Sequence, residues 1–147
     1  MSVSEQTRDA VASGELRISY DDLGLNSGEP ALLFKDAGHH LAVSPDGRFV
    51  AYESGRGVAG ADDIHFAPLD GSSPPKTLVS GHGHLVAPRF SPDSKWITYS
   101  STETGKDEIY VESFPPGKGR WRISNDGGRH SRWRGDPGEI LYMGPDR

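Results

Sequence analysis

One motif recurs three times along the chain at nearly constant spacing. The segments LAVSPDGRFVAY, PRFSPDSKWITY and SRWRGDPGEILY align on an aspartate, and the three aspartates lie a little over forty residues apart: Asp46, Asp93 and Asp136. Each segment has an apolar residue three positions before the aspartate and a tyrosine six positions after it: Val43, Phe90 and Trp133, then Tyr52, Tyr99 and Tyr142. Such a period is typical of four-stranded propeller blades.

The rest of each period consists of short alternating runs separated by glycine-containing turns, a pattern of strands rather than helices. It predicts two four-stranded blades at about 41–80 and 85–124, and a half blade at 130–143 with strands near 130–134 and 139–143. The runs ELRISY and ALLFK predict a second half blade at 15–35. Residues 1–14 are then a flexible tail, and residues 15–147 form one propeller segment.

These strands make about three blades, whereas closed propellers contain ~4–8. The sequence therefore predicts an all-β fold and a partial propeller. Two arrangements would complete the ring. The chain is a fragment of a longer propeller, or two copies associate as a homodimer with six blades.

Composition agrees with many short strands and excludes several kinds of chemistry. Glycine (19) and proline (11) are abundant and the hydrophobic fraction is only 33%, which suits strands joined by tight turns. The absence of cysteine excludes disulfides, thiolate nucleophiles and cysteine metal ligands. A net charge of −5 disfavours binding to nucleic acid or to an acidic membrane.

The start of the chain, MSVSEQTRDAVASGE, is polar and lacks the apolar core of a secretory signal. No stretch approaches the ~18 consecutive apolar residues of a membrane-spanning helix. As it stands the chain is expected to be cytoplasmic and not inserted in a membrane, and its native compartment is left open.

The motifs AVSPDGRFVAYES…DDIHFAPLDG and RFSPDSKWITYSSTETGKDEIYVESFPPG resemble the WD-repeat-like β-propeller repeat of TolB-type proteins. The same repeat occurs in bacterial propellers attached to receptor-type kinases and to prolyl-oligopeptidase-like peptidases. EIYVESFPPGKGRWRIS, followed by GGRHSRWRGDPGEILYM, is similar to the kinase-attached group. The resemblance covers residues 41–143 and implies a propeller with a scaffold or recognition role, but no particular activity.

A second resemblance lies near the start of the chain. LRISYDDLG…SGEPALLF is similar to the opening strands of α/β-hydrolases, but KDAGHH replaces the His-Gly oxyanion segment expected after them. The chain also lacks a Gly-x-Ser-x-Gly nucleophile elbow. The hydrolase chemistry is therefore not expected here.

The repeated aspartates are predicted to be turn residues rather than acids of an active site. In SPDG, Pro45 and Asp46 suit the centre of a type I turn, and Gly47 suits the positive φ that follows. In SPDS, Ser94 takes the glycine position, which predicts either slight strain at the positive-φ site or an altered turn. Asp136-Pro137-Gly138-Glu139 fits a type II turn instead.

Histidines and carboxylates offer weaker candidates for a metal site. His82 and His84 would share a face if GHGH were extended, with Asp62 or Asp126 as an oxygen ligand, but no third ligand has diagnostic spacing. The other histidines are His39, His40, His65 and His130. We expect no bound metal and no cofactor, while a metal near His82 and His84 or near Asp62 and Asp63 is left open.

Three other groups are predicted to be structural. Ser44, His39 and Asp46 form a nominal hydrolytic set, but neighbours in sequence need not have triad geometry. The pairs Asp62–Asp63 and Asp107–Glu108 open equivalent strands, and we interpret them as solvated charges at the rim that could bind a cation such as calcium.

A basic stretch interleaved with tryptophan lies between residues 118 and 134. It contains Lys118, Arg120, Arg122, Arg129, Arg132 and Arg134, together with Trp121 and Trp133. Basic and aromatic residues together can bind nucleic acid. Strand alternation instead predicts that the tryptophans pack between blades while the arginines face solvent or a blade edge.

The sequence thus favours a non-enzymatic module that recognises a protein or a peptide through its blade tips and rim loops, with no nucleic-acid partner. Two alternatives stay open. The chain could be the propeller segment of a serine peptidase or hydrolase without its catalytic domain, or the sensor propeller of a bacterial receptor-type kinase.

Overall fold

Strands account for the regular secondary structure in the computed structural model, which describes residues 37–54, 62–135 and 138–145. In chain order the strands are β1 (Ala37–Val43), β2 (Phe49–Ser54), β3 (Ile64–Pro68), β4 (Lys76–Val79), β5 (Leu85–Phe90), β6 (Trp96–Ser101), β7 (Glu108–Ser113), β8 (Arg120–Arg122), β9 (Arg129–Trp133) and β10 (Ile140–Met143). The all-β prediction is confirmed. The predicted tail and half blade before residue 37 lie outside the described residues.

The strands form two antiparallel sheets and a hairpin. The first sheet has the order β1-β2-β3-β4, the second has the order β5-β6-β7-β8, and β9 pairs with β10. Within each sheet and within the hairpin, each strand pairs with the next one along the chain, as expected for runs joined by tight turns. The two sheets and the hairpin follow one another like successive blades, as in a partial propeller.

Alternation along β6 explains how the units stack. Ile97 and Tyr99 are fully buried and join the hydrophobic cluster shared with the first sheet. Thr98 points to the other face, where its hydroxyl accepts a hydrogen bond from Ser131 of β9 at 3.0 Å. Since side chains alternate across a strand, one strand of the second sheet contacts both neighbouring units.

An aromatic cluster joins the first two sheets. Phe114, in the connection after β7, has its ring centroid 5.1 Å from Phe49, 5.1 Å from Phe66 and 4.9 Å from Phe90, each in an edge-to-face arrangement. Rings in this geometry attract one another beyond the effect of burying their area. Phe49 and Phe66 belong to the first sheet, so a residue of the second sheet fills the core of the first.

A bulge distorts the first strand of each unit. The register shifts within β1, between Val86 and Arg89 in β5, and within the β9–β10 pair. Ala87 has a φ of 56° and His130 a φ of 52°, in the left-handed region that non-glycine residues rarely adopt. Both residues lie six positions before the motif aspartate, so the distortion belongs to the repeat.

Successive connections of an antiparallel meander lie at opposite ends of the sheet. We name the end formed by residues 44–48, 69–75, 91–95 and 114–119 the turn end. The opposite end, formed by residues 62–63, 80–84, 102–107 and 123–128, is the loop end. Within the part of the chain that the structure describes, no helix is long and apolar enough to cross a membrane.

Candidate recognition surface

Two hairpins at the turn end have the same hydrogen bonds. The Ser44 hydroxyl donates to Asp46 Oδ1 at 2.6 Å and accepts from the Phe49 N–H at 2.9 Å. The Ser91 hydroxyl donates to Asp93 Oδ1 at 2.5 Å and accepts from the Trp96 N–H at 3.0 Å. These carboxylates hold the turn together, and the turn interpretation of both aspartates is confirmed.

The carboxylates also bind the backbone beyond each turn. Asp46 Oδ1 accepts from the Arg48 N–H at 3.1 Å, and Asp93 Oδ1 accepts from the Lys95 N–H at 3.1 Å. The hydrogen bond from Ser91 lowers the pKa of Asp93, which keeps this carboxyl ionised at neutral pH. Its repeated role is to accept hydrogen bonds within the turn.

The residue after each aspartate has the predicted positive φ. It is 70° at Gly47 and 58° at Ser94. The structure adds a contact that the sequence did not predict, because the Ser94 hydroxyl accepts a hydrogen bond from the Asp46 N–H at 3.2 Å. The serine thereby connects the two hairpins. Asp136 and Pro137 of the third turn lie outside the described residues.

The nominal hydrolytic set does not present a free serine. Ser44 is fully buried, and its hydroxyl already binds Asp46 and the Phe49 N–H. The same arrangement recurs at Ser91, so it belongs to the hairpin. The side chain of His39 is outside the described part of the structure.

At the loop end, ion pairs connect neighbouring units. Asp62, before β3, pairs with Nδ1 of His84, before β5. The equivalent Asp107, before β7, pairs through Oδ2 with Nε of Arg129 in β9 at 2.6 Å. In each sheet, therefore, an aspartate before the third strand binds a residue at the beginning of the next unit.

His82 and His84 do not lie together as a pair of metal ligands. His82 Nδ1 lies 2.5 Å from Oε2 of Glu103, whereas His84 pairs with Asp62. Positive φ angles of 72° at Gly81 and 74° at Gly83 replace the extended backbone that would have put both rings on one face. Within the described residues, no three His, Asp or Glu side chains are grouped closely enough to hold a metal ion.

The interpretation of Glu108 as a solvated charge was wrong. Glu108 is fully buried, accepts a hydrogen bond from the Ser124 hydroxyl, and accepts another from the Gly127 N–H at 3.1 Å. The connection between β8 and β9 folds over the start of β7 and supplies these donors. A buried carboxylate is tolerated when such donors replace water.

The alternation predicted for β8 was correct, but the prediction that Arg120 faces solvent or a blade edge was wrong. Arg120 pairs with Glu112, which puts its side chain on the face that packs against the first sheet. Its guanidinium carbon lies 3.8 Å from the centroid of the Tyr110 ring, and its Nε donates to the Tyr99 hydroxyl at 2.5 Å. Trp121 is on the opposite face and is 47% exposed. The hairpin has only two strands, β9 and β10, which do not cover β8 and so leave Trp121 partly exposed.

Arg120 also binds a carboxylate at the loop end. Its Nη1 donates to Oε1 of Glu103 at 2.9 Å. Although partial burial opposes it, hydrogen bonds from Arg120 and Tyr110 and the charge of Arg120 lower the pKa of Glu103 to about 2. The buried Nη2 of Arg120 has no hydrogen-bond partner among the described residues. Alternation alone could not identify this interior arginine.

A cavity of about 440 Å³ opens at the loop end between the second sheet and the hairpin. It is lined by residues 106–107, 126–130 and 143–145. Lys106 pairs there with the exposed Asp126 at 2.9 Å, and Met143 is 61% exposed. The cavity thus combines both signs of charge with an apolar wall, which suits a peptide segment better than a metal ion.

The second tryptophan of the basic stretch packs as predicted. Trp133 Nε1 donates to the backbone carbonyl of Arg89 at 3.1 Å, which attaches the hairpin to the second sheet. Arg122, Arg129, Arg132 and Arg134 are exposed. Arg129 and Arg134 pair with Asp107 and Glu139, so part of the positive charge is neutralised locally.

No family model matches the chain. The Tol-Pal system protein TolB of Xanthomonas oryzae pv. oryzae is 29% identical over 125 residues, which cover 71% of this chain and 28% of that protein. The protein of the same name from Acinetobacter baylyi is 34% identical over 55 residues, covering 37% of this chain and 13% of the relative. The chain therefore spans less than a third of the length of these relatives.

Two solved structures have the same fold. A protein from Agrobacterium tumefaciens assigned to TolB superposes with a TM-score of 0.60 at 26% identity, over 71% of this chain and 37% of that one. TolB from Acinetobacter baumannii superposes with a TM-score of 0.60 at 17% identity, over 73% and 26% of the two chains. The chain thus resembles TolB proteins both in sequence and in its β-propeller fold.

Proposed function

We propose that the chain is a non-enzymatic module that recognises a protein or peptide partner through the loop end of its blades. The observation that carries this proposal is the cavity of about 440 Å³ between the second sheet and the hairpin. Its walls offer Lys106, Asp126 and exposed Met143, which suit the mixed polar and apolar side chains of a peptide.

The contacts of Ser44 support a role in binding rather than in hydrolysis. Ser44 is buried and its hydroxyl is committed to its turn, so it is not placed to act as a nucleophile. The name of the relatives places them in a Tol-Pal system, a designation that supports a part in a protein assembly.

Panning of a random peptide library against the immobilised chain tests this proposal. Gly144 lines the cavity, and a Cβ added there meets no atom within 4 Å. Gly144→Trp should therefore fill the cavity. Gly135→Trp is the matched control, since Gly135 also has open space and does not line the cavity. We expect enriched peptides to bind the wild-type chain and Gly135→Trp, and to lose binding to Gly144→Trp.

Two results would contradict the proposal: the absence of any enriched peptide, or turnover of ester or peptide substrates by the purified wild-type chain. The second result would favour the hydrolase alternative.

A homodimer remains a prediction. It is supported by the outer hairpin strand, on which Leu141 is 54% and Met143 is 61% exposed. Such exposed apolar residues favour association. Light scattering tests this arrangement, and a clean monomer at all concentrations would contradict it.

A further inference from the structure

Two arginines occupy equivalent positions on the first strands of two neighbouring units, the second sheet and the hairpin. Arg89 in β5 and Arg132 in β9 each lie four residues before the motif aspartate. Arg89 Nη1 donates to the carbonyl of Pro88 at 3.2 Å, and Arg132 Nη1 donates to the carbonyl of Ser131 at 2.9 Å. The repeat therefore sets both guanidinium groups in the same way, one unit apart.

Hydrogen bonds fix the register between the two strands. Trp133 Nε1 donates to the Arg89 carbonyl at 3.1 Å, and the Ser131 hydroxyl donates to Thr98 Oγ1 at 3.0 Å. The Thr98 hydroxyl itself donates to the Arg89 carbonyl at 3.4 Å. Because these bonds involve residues beside each arginine, the two strands that carry the arginines are held in register before any ligand arrives.

The two charges are poorly compensated. Burial and the charge of Arg132 lower the pKa of Arg89, while Glu53 opposes this effect. Among the residues that the structure describes, neither arginine forms an ion pair. The carboxylate of Glu53 already accepts a hydrogen bond from the Ala87 N–H and faces Nδ1 of His40.

Within the described part of the chain, each guanidinium uses only a small share of its donors. An arginine side chain has five N–H donors, and one bond from each of these two groups goes to a backbone carbonyl. The planar donor groups match carboxylates, which they bind with two parallel hydrogen bonds.

We propose that Arg89 and Arg132 bind carboxylate groups of an acidic, extended segment of a partner protein. This inference rests on the proposed recognition function but uses a site separate from the loop-end cavity. A partner could therefore be recognised at the cavity even if the arginine pair plays no part.

Fluorescence anisotropy with labelled hexa-aspartate and the full 147-residue chain tests the inference. We expect Arg132→Gln to weaken binding about tenfold, the effect of losing one charge-assisted interaction. Arg89→Gln should have a similar effect. Arg122→Gln is the matched control, because it removes the same charge from an exposed site on β8 and should change binding less than about twofold.

If Arg132→Gln and Arg122→Gln lost equal affinity for hexa-aspartate, the peptide would be attracted by positive charge anywhere on the surface, and the inference would be overturned. So would binding of labelled hexalysine as tight as that of hexa-aspartate. Displacement by inorganic phosphate as effective as that by unlabelled hexa-aspartate, at constant ionic strength, would assign the site to small oxyanions instead. Selected peptides that still bind at the cavity would leave the proposed function intact in each case.

Discussion

The hydroxyl oxygen of Ser94 accepts a hydrogen bond from the backbone N–H of Asp46, with 3.2 Å between the two atoms. Ser94 lies in the second hairpin at the position that Gly47 occupies in the first. Its φ of 58° is unfavourable for a residue with a Cβ. The serine therefore combines a local cost in backbone energy with a contact between two units.

Replacement of Ser94 separates these two effects. Ser94→Ala keeps the unfavourable φ and loses the hydrogen bond, so the free energy of unfolding should fall by about 1 kcal/mol. Ser94→Gly loses the same bond but relieves the strain, so it should be more stable than Ser94→Ala by about 1 kcal/mol. Urea denaturation followed by circular dichroism measures both changes.

Ser72→Ala is the control for this comparison, because Ser72 is exposed in another turn. Ser94→Ala with unchanged stability would show that the contact between the hairpins contributes nothing.

Phe114 should be among the most sensitive positions in the chain. It is 5% exposed and contacts three other rings, so Phe114→Ala should lower the free energy of unfolding by about 3–5 kcal/mol. Trp121→Ala removes a larger ring that is 47% exposed and should cost about 1 kcal/mol or less. Chemical denaturation of the two variants tests this ranking, and a larger loss from Trp121→Ala would refute the assignment of the two residues.

The hydrogen bonds around Glu108 predict a large effect from a small substitution. Ser124→Ala removes the donor to Glu108 and the acceptor of the buried Ile109 N–H, which lies 2.8 Å from Ser124 Oγ. Leaving both groups unsatisfied should lower the free energy of unfolding by about 2–3 kcal/mol. Thr104→Ala, at an exposed hydroxyl, is the control. Similar small losses in both variants would argue against a buried network.

The lowered pKa of Glu103 predicts a specific acid dependence of stability. Its folded-state pKa of about 2 lies below the ordinary value of 4.5, so the stabilisation is complete above pH 4.5. It should be lost as the pH falls from 4.5 to about 2, when the carboxylate is protonated in the folded state too. Because the side chain is partly solvated, the contribution should be only about 1 kcal/mol.

Glu103→Gln should lack this part of the acid dependence, and Glu139→Gln, at an exposed ion pair, should keep it. Urea midpoints across this pH range make the comparison. Parallel curves for the wild type and Glu103→Gln would contradict the role of Arg120 and Tyr110 in stabilising the charge.

Local patterns predicted the strands and hairpins because their causes lie within a few residues of one another. The aspartate turns follow from Ser-Pro-Asp with a residue able to adopt positive φ, and the strand alternation follows from the spacing of apolar residues. Gly47 and Ser94 adopt the predicted conformation.

The side-chain roles that failed depend on contacts between distant parts of the chain. Alternation shows that Arg120 and Trp121 lie on opposite faces, but only the packing of the first sheet and the short hairpin determines which face is buried. Glu108 is similar, since its donors come from the connection that follows β8. The sequence carries no local signal for either arrangement.

The position of Phe114 has a consequence for synthesis on the ribosome. The last strand of the first sheet ends at Val79, but the ring that covers Phe49 and Phe66 belongs to a connection made after β7. At ~5–20 residues per second the nascent chain would present those two aromatic side chains for about two to seven seconds before their cover is translated. A chaperone that binds exposed aromatic segments would therefore have this interval in which to bind the sheet formed by β1 to β4.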